Sequence, residues 1–238
     1  MHRFYVDLLD SHGRTELSKE DSYHASKVLR LSAGDVVELI CQGKRYLGEL
    51  LPDGGAQIKE SLPSTEPRLQ ITLFQGLPKA DKMEMIVQKA VELGVARVVP
   101  VMMKRCVVRL APQDGEKKQA RWQKIAREAG KQSGRCLIPE ISAPIPFHQL
   151  AAFSSSLDAS IVPWEEARSM GPRAFAQANP SLSSLGILIG PEGGIEPEEI
   201  AQLEGVFQPL TLGPRILRTE TAGLAVSAAM MALYGEME

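Results

Sequence analysis

The stretch LIGPEGGIEPEE, Leu188–Glu199, decides the fold class. An apolar run stops at Gly190, turns through Pro191, opens into Gly193-Gly194 and continues into an acidic helix start. A buried run that ends in bare backbone before a helix is the signature of a parallel strand feeding a crossover. Further on, LGPRILRTETA, Leu212–Ala222, stops an apolar run with the same Leu-Gly-Pro and carries Arg215 and Arg218. VPW at 162–164 ends a third apolar run.

Working outward, the same alternation covers residues 67–238. Apolar runs at 69–77, 96–102, 158–163, 185–190 and 208–213 read as strands, each followed by a helical stretch. In the helix expected at 82–94, Ile86, Ala90 and Leu93 share a face and Gly94 supplies the stop. The pattern predicts an α/β domain with a mostly parallel sheet and helices on both faces. Residues 1–66 differ. Short strands, a hairpin broken at Gln42-Gly43-Lys44 and a turn at Asp53-Gly54-Gly55 predict a small β-barrel-like domain. It would hold one helix from Ser18 to Leu31, with Tyr23, Val28 and Leu31 inward. The stretch SLPSTEPR, 61–68, reads as the linker.

Several classes are excluded. No run approaches the roughly 18 apolar residues of a membrane span, and the N-terminus lacks a basic-then-apolar secretion signal. Cys41, Cys106 and Cys136 form no CxxC pair, and the four histidines show no ligand spacing. A cytoplasmic protein with reduced thiols and no metal follows. The net charge of -2 conceals an uneven distribution. Residues 67–140 carry 15 basic against 7 acidic side chains, and residues 141–238 carry 4 against 11. Such asymmetry suits a polyanionic partner or a solvated helix face. In the helix at 115–133, Trp122, Ile125, Ala126 and Ala129 fall on one side at about 100° per residue. Lys117, Arg121, Lys124 and Lys131 lie roughly opposite, as a solvated stripe or a track for phosphates.

Neither glycine loop is a phosphate loop, because GxxxxGK[ST] is absent. Neither carries GxGxxG with a ribose-binding acid at the usual distance, and Glu192 would repel a phosphate. A cationic or neutral ligand held mainly by backbone fits better. Ile189, Leu212, Ile216 and Leu217 could supply apolar faces for an adenine.

In this order and spacing, EAGKQSGR (128–135), LIGPEGG (188–194) and LGPRILRTETA (212–222) resemble the signature blocks of the RsmE family. This is a family of SPOUT-class methyltransferases that modify uridine N3 in small-subunit (16S) ribosomal RNA. HRFYV and HASKVLRLSAGD resemble its PUA-like RNA-binding domain, with Arg30 among the expected RNA contacts. The resemblance implies a trefoil-knotted sheet domain, a homodimer and S-adenosylmethionine held in a bent pose by loops near 162–164, 188–194 and 211–218. Pro163, Ile189, Gly190, Glu192, Gly194, Leu212, Gly213, Ile216 and Leu217 would line that site. Arg218 could stabilise the anion of a uracil that loses its N3 proton, and Glu220 is a candidate base. Glu220 is equally an acid in the first turn of a helix capped by Thr219. Arg135 is expected to face RNA or a partner subunit's pocket, or to serve as a helix-end cation. A ribose 2′-O-methyltransferase and a non-catalytic RNA-binding assembly factor stand as alternatives.

Overall fold

A computed structural model describes the backbone of residues 1–238 and every side chain except that of Pro112. The chain divides into two compact units, Met1–Glu66 with Gly130–Ile138, and Pro67–Ala129 with Pro139–Glu238.

The first unit contains β1 (Arg3–Val6), β2 (Arg14–Glu16), α1 (Lys19–Tyr23), β3 (Val36–Cys41), β4 (Lys44–Leu50) and β5 (Gly55–Leu62). The strands form one sheet in the order β1-β3-β4-β5-β2. β1 pairs parallel to β3 and the remaining pairs are antiparallel. Gln42 and Gly43 both have positive φ, which gives the tight two-residue hairpin between β3 and β4. Phe4, Val37, Leu39, Leu50 and Ala56 make the core. Ser18 caps α1, its hydroxyl accepting from the Asp21 amide at 3.0 Å.

One helix expectation fails here. After Tyr23 the chain widens into a π-helical turn over His24–Val28, which changes the angular spacing of its side chains. Ala25 therefore turns inward and Leu29 packs against the core, while Tyr23 and Val28 are left exposed.

Gly130–Ile138 is built into this unit by polar bonds. Tyr5 donates its hydroxyl to the carbonyls of Gly130 and Arg135. Burial raises the Tyr5 phenol to about 12. Thr65 donates to the Gly134 carbonyl at 2.7 Å. Arg135 is buried, and its guanidinium lies on the Glu66 carboxylate at 2.7 Å. Glu66 Oε1 also accepts from the Cys136 and Leu137 amides. The expectation that Arg135 faces RNA or a partner's pocket is thereby corrected, since Glu66 neutralises its charge inside the first unit.

The second unit contains β6 (Gln70–Gly76), α2 (Lys82–Glu92), β7 (Arg97–Met102), α3 (Pro112–Ser133), β8 (Glu140–Ile141) and β9 (Ile145–Pro146). After them come α4 (Leu150–Ser154), β10 (Ala159–Pro163), α5 (Pro172–Ala178), β11 (Ser184–Ile189), α6 (Pro197–Gln202), β12 (Gln208–Leu210) and α7 (Thr219–Leu233). The last turn of α3, from Gly130, belongs to the first unit. The sheet order is β12-β10-β11-β6-β7-β8, with β9 also beside β7, and every pair is parallel. Central strands of a parallel sheet are covered on both faces, so they read as continuous apolar runs. Accordingly, Ile71, Leu73 and Phe74 of β6 and Leu185, Ile187 and Leu188 of β11 are fully buried.

From β6 the chain steps one way to β7 and β8, then crosses to build β10, β11 and β12 on the other side. The order thus reverses between β6 and β11, and the carboxyl ends there are where such sheets bind ligands. On α3, Trp122, Ala126 and Ala129 are buried and Lys117, Arg121 and Lys124 lie on the outer side, as the helical spacing requires. No helix is long and apolar enough to cross a membrane, among the described residues.

The Arg135–Glu66 pair sets a stability test for the first unit. Glu66→Gln leaves the buried guanidinium without its counter-charge, a loss of about 3 kcal/mol. Urea denaturation followed by Tyr and Trp fluorescence should show the lowered midpoint.

Candidate active site

Three loops meet at the carboxyl ends of the adjacent strands β12, β10 and β11. They surround two adjoining cavities of about 550 and 480 Å³ that share Pro163, Glu165, Ile216, Leu217 and Ala222. Leu212 and Gly213 line the first, together with Trp164, Arg168 and Arg215. Ile189, Gly190, Glu192, Gly194 and Arg218 line the second. Every residue expected to hold the cofactor is therefore on a wall of one cavity or both. Ile216 is 86% exposed on that wall.

The glycine loop is shaped by its own backbone. The Gly194 amide donates to the Pro191 carbonyl at 2.9 Å, closing a four-residue turn, and Gly194 leaves that turn with a left-handed φ of 73°, which glycine adopts without strain. A Cβ there would lie 3.1 Å from Glu165 Oε1, so the bare glycine keeps that carboxylate against the loop. At the end of β6, a Cβ on Gly76 would come within 2.7 Å of the Pro191 nitrogen. Glycine at 76 therefore lets the loop pass directly over the strand end.

Thr219 fixes the loop to its neighbours. Its hydroxyl donates to the Gly190 carbonyl at 2.6 Å and accepts from Gln75 Nε2 at 2.9 Å. Both side chains are buried. The capping expectation is corrected by this bond. Arg218 is the N-cap residue of α7 and makes no side-chain cap, and Thr219 is the first helical residue.

The acidic run after Gly194 has structural duties. Glu196 caps α6 in a reciprocal box with Glu199. Buried Glu199 also accepts from the Lys104 amide at 2.9 Å. Arg105 donates to the Gly193 carbonyl at 2.8 Å and pairs with Glu196 at 3.0 Å. Among the acids of 188–199, it is Glu192 that lines the cavity. Lys82 at the start of α2 lies 3.1 Å from Glu192 and 3.2 Å from Glu220. Burial pushes the Glu192 carboxyl up, but its own amide, the Lys79 amide and the Lys82 ammonium outweigh this and hold it below the usual range.

Glu220 is on neither cavity wall, whereas exposed Arg218 stands at the rim of the second. Lys117, Arg121 and Lys124 lie on the outer face of α3, with Arg121 paired to Glu84 at 2.6 Å. Arg30 belongs to the first unit and has a left-handed φ of 58°. Sequence reasoning missed Lys82, Gln75, Arg105 and Glu165. Lys82 opens an ordinary amphipathic helix, and Gln75 is one polar residue in a strand, so neither carried a local signal.

Thr219→Val keeps the shape and removes the hydroxyl, so the half-buried Gly190 carbonyl loses this donor and the buried Gln75 amide is left with the Gly76 carbonyl. The loss costs about 1–3 kcal/mol, so thermal unfolding should come clearly earlier. Thr219→Ser should lose much less.

The chain is similar to known RNA methyltransferases along nearly its whole length. Residues 65–231 match the family described as RNA methyltransferase domain. The ribosomal RNA small subunit methyltransferase E of Bacillus subtilis is 33% identical over 249 residues, covering 97% of this chain and 96% of that protein. A crystal structure of ribosomal RNA small subunit methyltransferase E from Neisseria gonorrhoeae bound to S-adenosyl methionine superposes with a TM-score of 0.84 at 33% identity, over all of both chains. A putative methyltransferase from Legionella pneumophila, in complex with the same cofactor, superposes with a TM-score of 0.80 at 31% identity, covering 97% of this chain and 96% of that one. With three strand-end loops around an acidic cleft and this agreement along its whole length, the chain belongs to the ribosomal RNA small subunit methyltransferase E family of RNA methyltransferases.

Proposed function

We propose that this enzyme transfers a methyl group from S-adenosylmethionine to N3 of a uridine in 16S ribosomal RNA, giving 3-methyluridine. The observation that carries the reading is the paired cleft at the carboxyl ends of β10, β11 and β12, with carboxylates and backbone on its walls and no phosphate loop. The donor set fits this cofactor. Glu165 and Glu192 suit a sulfonium, and Leu212, Ile216, Leu217 and Ile189 suit an adenosine body. When bound, S-adenosylmethionine supplies an activated methyl on a good leaving group. The chain itself positions, excludes water and manages charge.

Uridine N3 holds a proton at neutral pH, so the reacting base becomes anionic as that proton leaves. Arg218, exposed at the cleft rim and at the N-terminus of α7, stabilises that charge on the ring oxygens. The outer stripe of α3 tracks RNA phosphates, and the first unit, with Arg30, serves as a PUA-like RNA-binding module. Two further features belong to the proposal. The chain leaves edge strand β12 and returns to the middle of the sheet, where α7 packs on α2, β6 and β11; this return supports reading the segment as the threaded crossover of a trefoil knot. The bare apolar Ile216 on the cleft wall suits cover by a second copy, as a homodimer provides. The enzyme works on the RNA or the assembled small subunit in the cytoplasm.

The direct test is transfer of labelled methyl from S-adenosylmethionine to unmodified small-subunit RNA, free and in particles, with nucleoside analysis. Label in 3-methyluridine is the expected result, and label in a 2′-O-methyl nucleoside would overturn the choice of atom. Arg218→Ala should lower kcat by about 100-fold or more with little change in cofactor affinity. Replacing Lys117, Arg121 and Lys124 with Gln should flatten the salt dependence of RNA binding by about 0.7–0.9 in log–log slope for each phosphate no longer neutralised. An unchanged slope would remove the phosphate track.

A further inference from the structure

Lys82 is the first residue of α2, where the helix end carries partial positive charge and favours acids. A lysine there works against the helix that holds it. Its two partners come from other elements, Glu192 from the glycine loop and Glu220 from the first turn of α7. The loop that delivers it is also unusual. Ala80 has a φ of 53°, a left-handed conformation that costs a residue with a Cβ about 1 kcal/mol or more. This bend brings the Lys79 amide to Glu192 at 3.0 Å. Backbone and side chain of 79–82 therefore grip the same carboxylate of the cleft wall.

We propose that Lys82 is a positioning residue of the methyl-transfer site, whose ammonium holds the carboxylates of Glu192 and Glu220 together. The proposal rests on the reading of the cleft as the S-adenosylmethionine site. Lys82 lies within 3.2 Å of both carboxylates and joins α2, the glycine loop and α7 through one nitrogen. The two carboxylates in turn hold its ammonium above the ordinary lysine range, Glu192 most strongly. The neighbouring charges are otherwise disposed. Lys79 and Asp81 precede α2, and Glu84 in its first turn pairs with Arg121. Arg105, from the segment after β7, is engaged by Gly193 and Glu196. Glu165 and Arg218 line the same cavity as Glu192. Remove the ammonium, and two carboxylates face each other with no cation between them. Glu192 has then lost one of the groups that hold its carboxyl down and gained an unscreened like charge, so it takes up its proton at a higher pH than before. Glu192 then loses part of the charge that it offers to a sulfonium.

The sign is fixed by this argument. With Lys82 present, Glu192 is held below the usual carboxylate range and cofactor affinity is nearly level from about pH 5 to 8.5. In Lys82→Met Glu192 loses that cation, so its carboxyl is raised, and cofactor affinity is retained at the alkaline end and falls at the acid end.

The experiment is calorimetric titration of the full-length protein with S-adenosylmethionine at about pH 5, 7 and 8.5. Wild type and Lys82→Arg should give nearly level affinities, and Lys82→Met should bind about 3-fold more weakly at the lowest pH than at the highest, the loss expected for a Glu carboxyl raised about one unit above its ordinary value. The double variant Lys82→Met, Glu220→Gln removes one of the facing carboxylates and should be level again. A purely structural lysine would lower the melting temperature without any pH-dependent affinity. If Lys82→Met does not fold, Lys82→Gln carries the same expectation. Level affinities in the uncharged variants, with wild type binding normally, would overturn the proposal for Lys82 alone. Absence of binding by wild type at every pH would overturn the cofactor site and this proposal together.

Discussion

One buried hydroxyl joins the parts that make the cleft. Thr219 is the first residue of α7, Gly190 ends the run of β11 and Gln75 lies near the end of β6. A chain that has gone out to the edge strand β12 must come back to the middle of the sheet before α7 can begin. The hydroxyl between the Gly190 carbonyl and the Gln75 amide fixes where that return ends. The Gln75 bond is buried and the Gly190 bond half-buried, so water makes up little of their loss, and the position of the loop is correspondingly sharp. The cavities exist because 211–218 is held at a defined distance from 189–195.

Charge in the second unit is likewise arranged by contacts between distant segments. The excess of basic side chains in 67–140 and of acidic ones in 141–238 is partly one surface pairing with another. Arg68 meets Glu236, Lys82 meets Glu192 and Glu220, Lys104 meets Glu198, and Arg105 meets Glu196. Asp158, held down to about 2 by the Ser183 hydroxyl and the Ser183 and Ser184 amides, ties β10 to β11. Most of these contacts cross long sequence separations, so a count along the chain registers an asymmetry that folding cancels in part. Lys117 and Lys124 on the outer face of α3 stay exposed, as do Arg215 and Arg218 by the cleft.

Elements governed by local pattern were legible in the sequence. The apolar runs became β6, β7, β10 and β11 within a residue or two, and the glycine loops fell at their carboxyl ends. β12 is shorter than its apolar run because the chain leaves the sheet before the left-handed Gly213. The π-turn after Tyr23 was not legible, because hydrophobic spacing at 3.6 residues assumes the helix it is used to find. Arg135 misled for a different reason. Its partner, Glu66, is remote in sequence, and an arginine beside a glycine looks the same whether it meets RNA or a buried carboxylate. Lys82 was silent on the same ground, both of its partners being more than a hundred residues away.

Parallel topology itself explains why a site suited to a cation should be so rich in acids. In a strand–helix crossover the helix begins near the carboxyl end of the strand, so α2, α6 and α7 all start on the side where the cleft lies. Helix starts carry partial positive charge and by themselves would draw an anion. The first turns here contain Glu84 in α2, Glu198 and Glu199 in α6 and Glu220 in α7, and Glu192 stands between them on the loop. These carboxylates offset the helix ends, and Lys82 and Arg105 keep them from repelling one another. A sulfonium can then be received at a place where a bare parallel sheet would select phosphate, and the acidic character of LIGPEGGIEPEE follows from the direction of the helices as much as from the ligand.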